Sequence, residues 1–383
     1  MKVTSTLFCA PGHLFRTLSK SGRLFLTLTV ALAAPVRLQG LEPSSREKAI
    51  RELVENKIDS DGPGVAVLVS RNGVPLHMAG YGLADVKARL PITADSFFDL
   101  ASVSKHMTGV AILTLVEKGK LILERPVADY LKDFRVPIKG RAVTVADLLH
   151  HISGLADYTS DDWEGSDEEF ATLTNEGHLK WLNGTQPRRA PGVKYEYNNS
   201  EYALLALIVE RLSGHSFAEY VRDHLFGPAG MERTLVLDGK TKLPTTAVKG
   251  YETNKKGDVK RSSSPTVITG DGSVYTSIRE LSLWDKALRN QTVITRRSQE
   301  LAWTNGRYDN GREIKTENGD GYGFGWVLEK KRRIVSHSGS WAGSATYLLL
   351  DLEKGFTVAV LSNNGDLDTS DLAEEILALF AGD

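Results

Sequence analysis

A serine stands three residues ahead of a lysine in Asp99-Leu100-Ala101-Ser102-Val103-Ser104-Lys105. On a helix, that spacing places the two side chains on roughly one face, a single turn apart. Largely apolar surroundings lower a lysine pKa toward neutrality, so that Lys105 can serve as a base. A hydroxyl beside such a base is an activated nucleophile, with Ser102 attacking and Lys105 taking its proton. Ser102 follows the extended stretch Ser96–Leu100 and starts a helix. The first amide N–H groups of a helix lack intrahelical partners and the dipole is positive there, so an oxyanion formed at that spot is stabilised. Ser-x-x-Lys by itself recurs by chance in many chains. Its weight depends on what the other segments supply.

Two segments supply it. Tyr197-Asn198-Asn199 is a Tyr-x-Asn immediately before the helical run Ser200–Gly214, and His337-Ser338-Gly339 closes the apolar strand that begins at Arg333. With these three elements in this order, the chain resembles the serine hydrolases of the class C β-lactamase and D,D-peptidase superfamily, which includes esterase-like penicillin-binding proteins. The stretches VTVADLLHHISGL, GDGSVYTSIRELSLW and YGFGW match as well, so the resemblance spans residues 44–383. It implies that Ser102 is acylated and that Lys105 and Tyr197 form a coupled proton-transfer pair, in which neither alone is "the" base. It also implies that Asn199 holds Lys105 and touches the substrate amide, and that His337 lines the opposite wall. The oxyanion hole would be the backbone N–H groups of Ser102 and Ser340, with Ser338 and Gly339 beside the substrate. Donors of that kind lower a barrier by about 3–4 kcal/mol each.

The resemblance implies an acyl-enzyme hydrolase of amides or esters, needing neither cofactor nor metal. Its substrates would be D-alanyl peptides, D-amino-acid amides, β-lactams or small carboxylic esters. A different class of reading is a catalytically inactive penicillin-binding-like module that binds cell wall or peptide. The third motif departs from β-lactamases proper, which begin it with Lys. His337 has an ordinary pKa near neutrality, so sequence predicts a wall that is mostly neutral at pH 7 and charges on acidification. Capture of anionic β-lactams would then be weak.

The elements that position these residues follow from patterning. Helix is expected over the capped run from Pro43 to Ile58 and over residues 103–118, where Val103, Met107, Val110, Leu113 and Val116 lie near one face and Gly119 ends the run. Thr144 and Asp147 are spaced as a capping-box variant. Asn72-Gly73 between two apolar runs predicts a hairpin, because both turn positions want φ > 0. The last third reads as short antiparallel strands followed by a helix, Ser370–Gly382. This order predicts an α+β fold: an antiparallel sheet flanked by terminal helices, built from about residues 44–101 and 265–383, with an all-helical region of about 102–264 inserted. Residues 44–383 would then be one catalytic domain.

The N-terminus reads as a signal peptide over residues 1–34. Lys2, Arg16, Lys20 and Arg23 precede the apolar run Leu24–Ala34, which ends in the small-x-small pattern Ala31-Leu32-Ala33. A periplasmic or secreted protein is expected. Loss of the leader leaves 43 basic and 48 acidic residues, a net charge of −5, and removes the sole cysteine, Cys9. That charge provides no electrostatic case for nucleic acid, and no apolar run reaches the about 20 residues of a stable membrane span. The partner is therefore a small-molecule or peptide substrate, and no pattern specifies an oligomeric state. His150-His151 lacks a metal-ligand pattern, no Gly-x-Ser-x-Gly elbow occurs, and the glycines of GDGYGFG neither follow a strand nor open a helix. The acidic run Asp157–Phe170 reads as a solvated loop, or as the rim of the site with Tyr158 and Trp163 as apolar contacts.

Overall fold

A computed structural model describes residues 43–254, 258–263 and 266–382. The leader of residues 1–34 and Cys9 lie outside the described residues. Seven strands form the main sheet: β1 (Val65–Arg71), β2 (Val74–Tyr81), β3 (Gly321–Tyr322), β4 (Val327–Glu329), β5 (Ile334–Trp341), β6 (Ser344–Asp351) and β7 (Phe356–Ser362). Their spatial order is β3-β4-β5-β6-β7-β1-β2, antiparallel throughout. The two chain ends thus meet at the β7–β1 pair, where Val65 faces Ser362 and Arg71 faces Phe356. The hairpin between β1 and β2 turns on Asn72 and Gly73 with φ of 51° and 79°.

Side-chain alternation in β1 and β7 explains why both read as unbroken apolar runs. Val65, Val67, Val69, Val358 and Val360 face the terminal helices α1 (Pro43–Glu55) and α6 (Thr369–Ala378), packing against Ile50, Val54, Leu372 and Ile376. Ala66, Leu68, Ala359 and Leu361 point the other way, into the larger core shared with α2 (Lys105–Glu117), α3 (Val145–Leu149), α4 (Asn199–Ser213) and α5 (Ile278–Arg289). Covered on both faces at β1 and β7, the sheet has no solvent side there, so these two strands carry no polar alternation. Among the described residues, no helix is long and apolar enough to cross a membrane.

Local signals set several helix ends. Thr144 accepts from the Asp147 N–H while the Asp147 carboxylate accepts from the Thr144 N–H, and Arg141 clamps that carboxylate with two hydrogen bonds of 2.6 and 2.8 Å. Gly214 ends α4 in the left-handed conformation at φ 78°. Helix α2 differs from the single apolar face read in the sequence: every residue from Lys105 to Leu115 is buried. A helix apolar all round belongs in a core rather than at a surface, and α2 sits there, packed by α4 on one side. The turn preceding β4 crosses α2 at Gly325, whose φ is 74°. A Cβ there would lie 2.5 Å from the Lys105 carbonyl carbon and the His106 nitrogen. The inserted region carries, besides its helices, the strand Leu235–Val236 and the hairpin Gly250–Thr253/Val259–Ser262.

Candidate active site

Ser102 does not sit on α2 itself but in the 3-10 turn Ala101–Ser104 that leads into it. The chain arrives there along Phe98–Asp99, paired with Val274–Thr276, and the Leu100 carbonyl is held by the Thr346 hydroxyl at 2.8 Å. Ala101 takes φ 46°, a left-handed conformation that costs a non-glycine residue of order 1 kcal/mol or more. Asp99 accepts the Ala101 N–H at 2.8 Å and helps to hold that turn. Ser102 is thereby presented, part-exposed, on the wall of a 550 Å³ cavity.

Lys105 is fully buried behind it, and its three ammonium hydrogens have three acceptors. Nζ lies 3.2 Å from the Ser102 hydroxyl, 2.7 Å from Asn199 Oδ1 and 2.7 Å from the Asp271 carbonyl. Burial lowers its pKa to about 8, against the pull of the Asp271 and Asp157 carboxyl groups. Lys105 at neutral pH is therefore an ammonium that releases its proton easily. Asn199 is fixed in turn, its amide donating to the Thr159 hydroxyl at 2.7 Å.

Tyr197 approaches Lys105 through its ring face, 4.9 Å from Nζ, rather than by a hydrogen bond. Its hydroxyl is buried without a hydrogen-bond partner among the described residues. Burial pushes the phenol well above its ordinary range, and the Ser102 hydroxyl pulls in the opposite direction. An unpartnered buried hydroxyl carries a desolvation cost of about 1–3 kcal/mol. It faces the cavity that also exposes Ser102, where an incoming polar group can satisfy it.

The opposite wall is β5. Strand β4 covers it only as far as Ser336, so His337–Trp341 present an edge without a strand partner among the described residues. His337, Ser338 and Ser340 line the cavity, and Gly339 packs on the turn of the nucleophile. A Cβ on Gly339 would lie 2.3 Å from the Leu100 carbonyl oxygen, 2.4 Å from the Thr346 hydroxyl and 3.2 Å from Ala101 Cβ. Only glycine fits. Gly339→Ala is expected to push β5 away from Ser102, costing about 1–3 kcal/mol of stability and at least about tenfold in kcat/KM. A Gly339→Ala protein with the parent's melting temperature and rate would show that the contact is not tight.

His337 corrects a sequence expectation. It is buried, with Nδ1 at 2.6 Å from the Ser338 carbonyl and Nε2 at 3.0 Å from the Tyr322 hydroxyl. Burial, with Lys105 as a nearby cation, lowers its pKa to about 3. The imidazole stays neutral well below neutral pH, and the wall does not charge on mild acidification. His150 and His151, adjacent in sequence, have diverging partners. His150 Nδ1 meets the Tyr322 carbonyl at 3.0 Å, whereas His151 is shared between Glu201 and the Tyr322 hydroxyl.

The acidic run divides between rim and site. Tyr158 and Thr159 line the cavity, and Asp157 is buried with its carboxylate toward the Asn199 N–H at 3.3 Å. Trp163 does not line the cavity but packs on Phe170 and Trp181. Phe170 stacks on Trp341 at the rim. Asp161, Glu164, Asp167, Glu168 and Glu169 are exposed, the solvated behaviour. The sequence reading missed Asp271. Its carbonyl holds Lys105 while its carboxylate accepts from the Tyr158 hydroxyl at 2.7 Å. The only local signal was the Gly270-Asp271-Gly272 turn, with Gly270 at φ 102°.

An antiparallel sheet with both terminal helices on one face, and with a serine and a buried lysine beside the uncovered end of its strand β5, is the architecture of the penicillin-binding protein and β-lactamase class. The chain belongs to the Beta-lactamase family, whose profile matches residues 47–382. It is 32% identical over 342 residues to Penicillin-binding protein 4* of Bacillus subtilis (strain 168), covering 83% of this chain and 72% of that protein. It is 27% identical to Protein flp of Staphylococcus aureus (strain MW2), covering 79% of this chain and 59% of that longer relative. Among solved structures it resembles the octameric penicillin-binding protein homologue from Pyrococcus abyssi, with a TM-score of 0.77 and 28% identity, over 89% of this chain and 78% of that one.

Proposed function

We propose that the protein is a serine hydrolase that forms an acyl-enzyme on Ser102 and hydrolyses amide or ester bonds. The observation that carries this reading is a fully buried lysine with a depressed pKa, 3.2 Å from a cavity-facing serine hydroxyl. Deprotonated Lys105 accepts the Ser102 proton as the oxygen attacks, and the Tyr197 hydroxyl, facing the same cavity, shuttles that proton toward the leaving group. The backbone N–H groups of Ser102 and Ser340 receive the oxyanion, and water then releases the acyl group by the reverse path. The leader sequence supports export to the periplasm or medium.

The charge of the cavity bears on substrate. Asp99, Asp271 and Glu317 line it, with no lysine or arginine among the lining residues. A carboxylate beside the reacting carbonyl, as in β-lactams, meets no cation there except Lys105, which is occupied. Uncharged esters and amides without a carboxylate suit the cavity better, D-amino-acid amides included, whereas β-lactams and D-alanyl peptides that end in a free carboxylate react slowly. Comparing kcat/KM for a chromogenic cephalosporin and a p-nitrophenyl ester tests this. The ester should be favoured, and the ratio should show no His337-dependent change from about pH 8.5 to about 5.5, because the imidazole titrates far below that window. His337→Lys should raise the cephalosporin share. Efficient cephalosporin hydrolysis by the parent protein would make it a β-lactamase and refute the reading. The inactive binding module predicts no turnover of any acyl substrate.

A further inference from the structure

Behind the cavity wall runs a chain of hydrogen bonds that the acyl-transfer steps do not use. Glu201 Oε2 lies 2.5 Å from His151 Nδ1, His151 Nε2 lies 3.2 Å from the Tyr322 hydroxyl, and that hydroxyl lies 3.0 Å from His337 Nε2. Glu201, His151, Tyr322 and His337 are 1%, 1%, 0% and 4% exposed. The protons in such a chain can be placed from its ends, because backbone groups have fixed roles.

The Ser338 carbonyl only accepts, so His337 Nδ1, 2.6 Å away, carries a hydrogen. If the ring is neutral, Nε2 is bare and the Tyr322 hydroxyl donates to it. The Tyr322 oxygen then accepts from His151 Nε2, which carries that ring's hydrogen. At the far end the Asn198 N–H only donates, and it points at His151 Nδ1 at 3.3 Å. With the hydrogen of the neutral ring on Nε2, Nδ1 is bare, and the atom 2.5 Å from it, Glu201 Oε2, carries a proton, the Asn198 N–H being the weaker donor to the same lone pair. The other Glu201 oxygen accepts the Ser153 N–H at 3.0 Å. One placement satisfies both ends with no charge in the chain.

We propose that Glu201 is a buried neutral acid whose proton, passed as hydrogen-bond direction through His151 and Tyr322, locks His337 as the neutral Nδ1–H tautomer. The three residues position the wall of the cavity and keep it uncharged, so they determine specificity for substrates lacking an anionic group. The specificity half rests on the serine hydrolase reading above, and the tautomer half does not. The surroundings favour neutrality along the chain. Burial raises Glu201, with Asp157 and Asp147 acting in the same direction. His151 is packed among the rings of Tyr195, Tyr197, Tyr202 and Tyr322 and is held low by burial and by the Lys105 cation. His337 faces Tyr197, Tyr322, Lys105 and His106.

Long-range proton–nitrogen correlation spectra of the full chain labelled with nitrogen-15 histidine test the proposal without any substrate. Near neutral pH, His337 should appear as the neutral Nδ1–H form and His151 as the neutral Nε2–H form. Glu201→Gln supplies an amide donor to His151 and should keep both tautomers, whereas Glu201→Ala should lose the His151 tautomer. Tyr322→Phe removes the donor to His337 Nε2, so His337 should lose its single fixed tautomer and the cephalosporin-to-ester ratio should depart from that of the parent and Glu201→Gln. Imidazolium signals from His151 in the parent protein, or altered tautomers in Glu201→Gln, would overturn the proton assignment. Expected tautomers with a ratio unmoved by Tyr322→Phe would overturn the specificity role. Expected tautomers with no acyl-substrate turnover would overturn the hydrolase reading alone.

Discussion

Ser102→Ala loses turnover of every acyl substrate by about 10⁵–10⁶-fold, the scale on which removal of a nucleophile acts, while the fold persists. The hydroxyl is part-exposed and contributes one acceptor to Lys105, which keeps Asn199 Oδ1 and the Asp271 carbonyl. Deleting it should therefore change stability by no more than about 1 kcal/mol, a shift of a few degrees in a domain of this size. Activity and melting temperature measured on one preparation separate the two effects. A variant that unfolds would relocate Ser102 from chemistry to structure, and one that still turns over would remove it as the nucleophile.

Lys105 should tie both function and stability to pH. Its pKa falls from 10.5 in the unfolded chain to about 8 in the fold. The folded state thus binds fewer protons than the unfolded state between those values, so stability rises with pH through that window and is lowest below it. Holding the ammonium at neutral pH costs about 3 kcal/mol relative to the neutral amine, at 1.36 kcal/mol per pKa unit. Lys105→Met fills the same volume without charge. It removes that cost but leaves Asn199 Oδ1 and the Asp271 carbonyl without their donor, so it is expected to leave the melting temperature within a few degrees while lowering kcat by about 10³-fold or more. In the parent protein, kcat/KM should climb with pH through about 8 as Lys105 loses its proton. Tyr197→Phe should cost a similar factor, and the double variant Lys105→Ala/Tyr197→Phe little more than either single change, because groups acting as one unit give non-additive losses. Losses that multiply fully would contradict a coupled pair. A Lys105→Met protein whose stability still rises with pH between about 8 and 10.5 as the parent's does would contradict the burial argument.

Local rules made much of the scaffold legible. Asn72-Gly73, the Thr144–Asp147 capping box and the Gly214 helix end each depend on residues within four positions, and each stands as the residue types require. The strands of the last third were readable because β5, β6 and β7 are neighbours in sequence and in space. Helix α2 was misjudged because a stripe of apolar residues cannot reveal that the remaining sides, including Lys105 and His106, are also covered. The Ser102–Lys105 contact was visible from a three-residue spacing, and Asn199 came with its motif.

What stayed hidden depends on long sequence separations. Asp271 meets Lys105 across 166 residues, and His151 meets Tyr322 across 171. Asp271 and Tyr322 lie in the GDGSVYTSIRELSLW and YGFGW stretches and Glu201 two residues after Asn199, but nothing local shows which distant group each side chain meets. The His337 expectation failed for a related reason. Its ordinary pKa is a property of the residue type, whereas the value it takes is set by burial under the sheet edge and by Lys105, neither visible from its own strand.

The most direct measurement of the central claim is the mass of the protein after reaction with a fluorophosphonate or a fluorescent penicillin, followed by peptide mapping. The account predicts a single covalent adduct on the peptide containing Ser102, formed faster as pH rises through about 8 and absent in Ser102→Ala. An adduct on any other residue, or no adduct with either reagent at any pH, would contradict it.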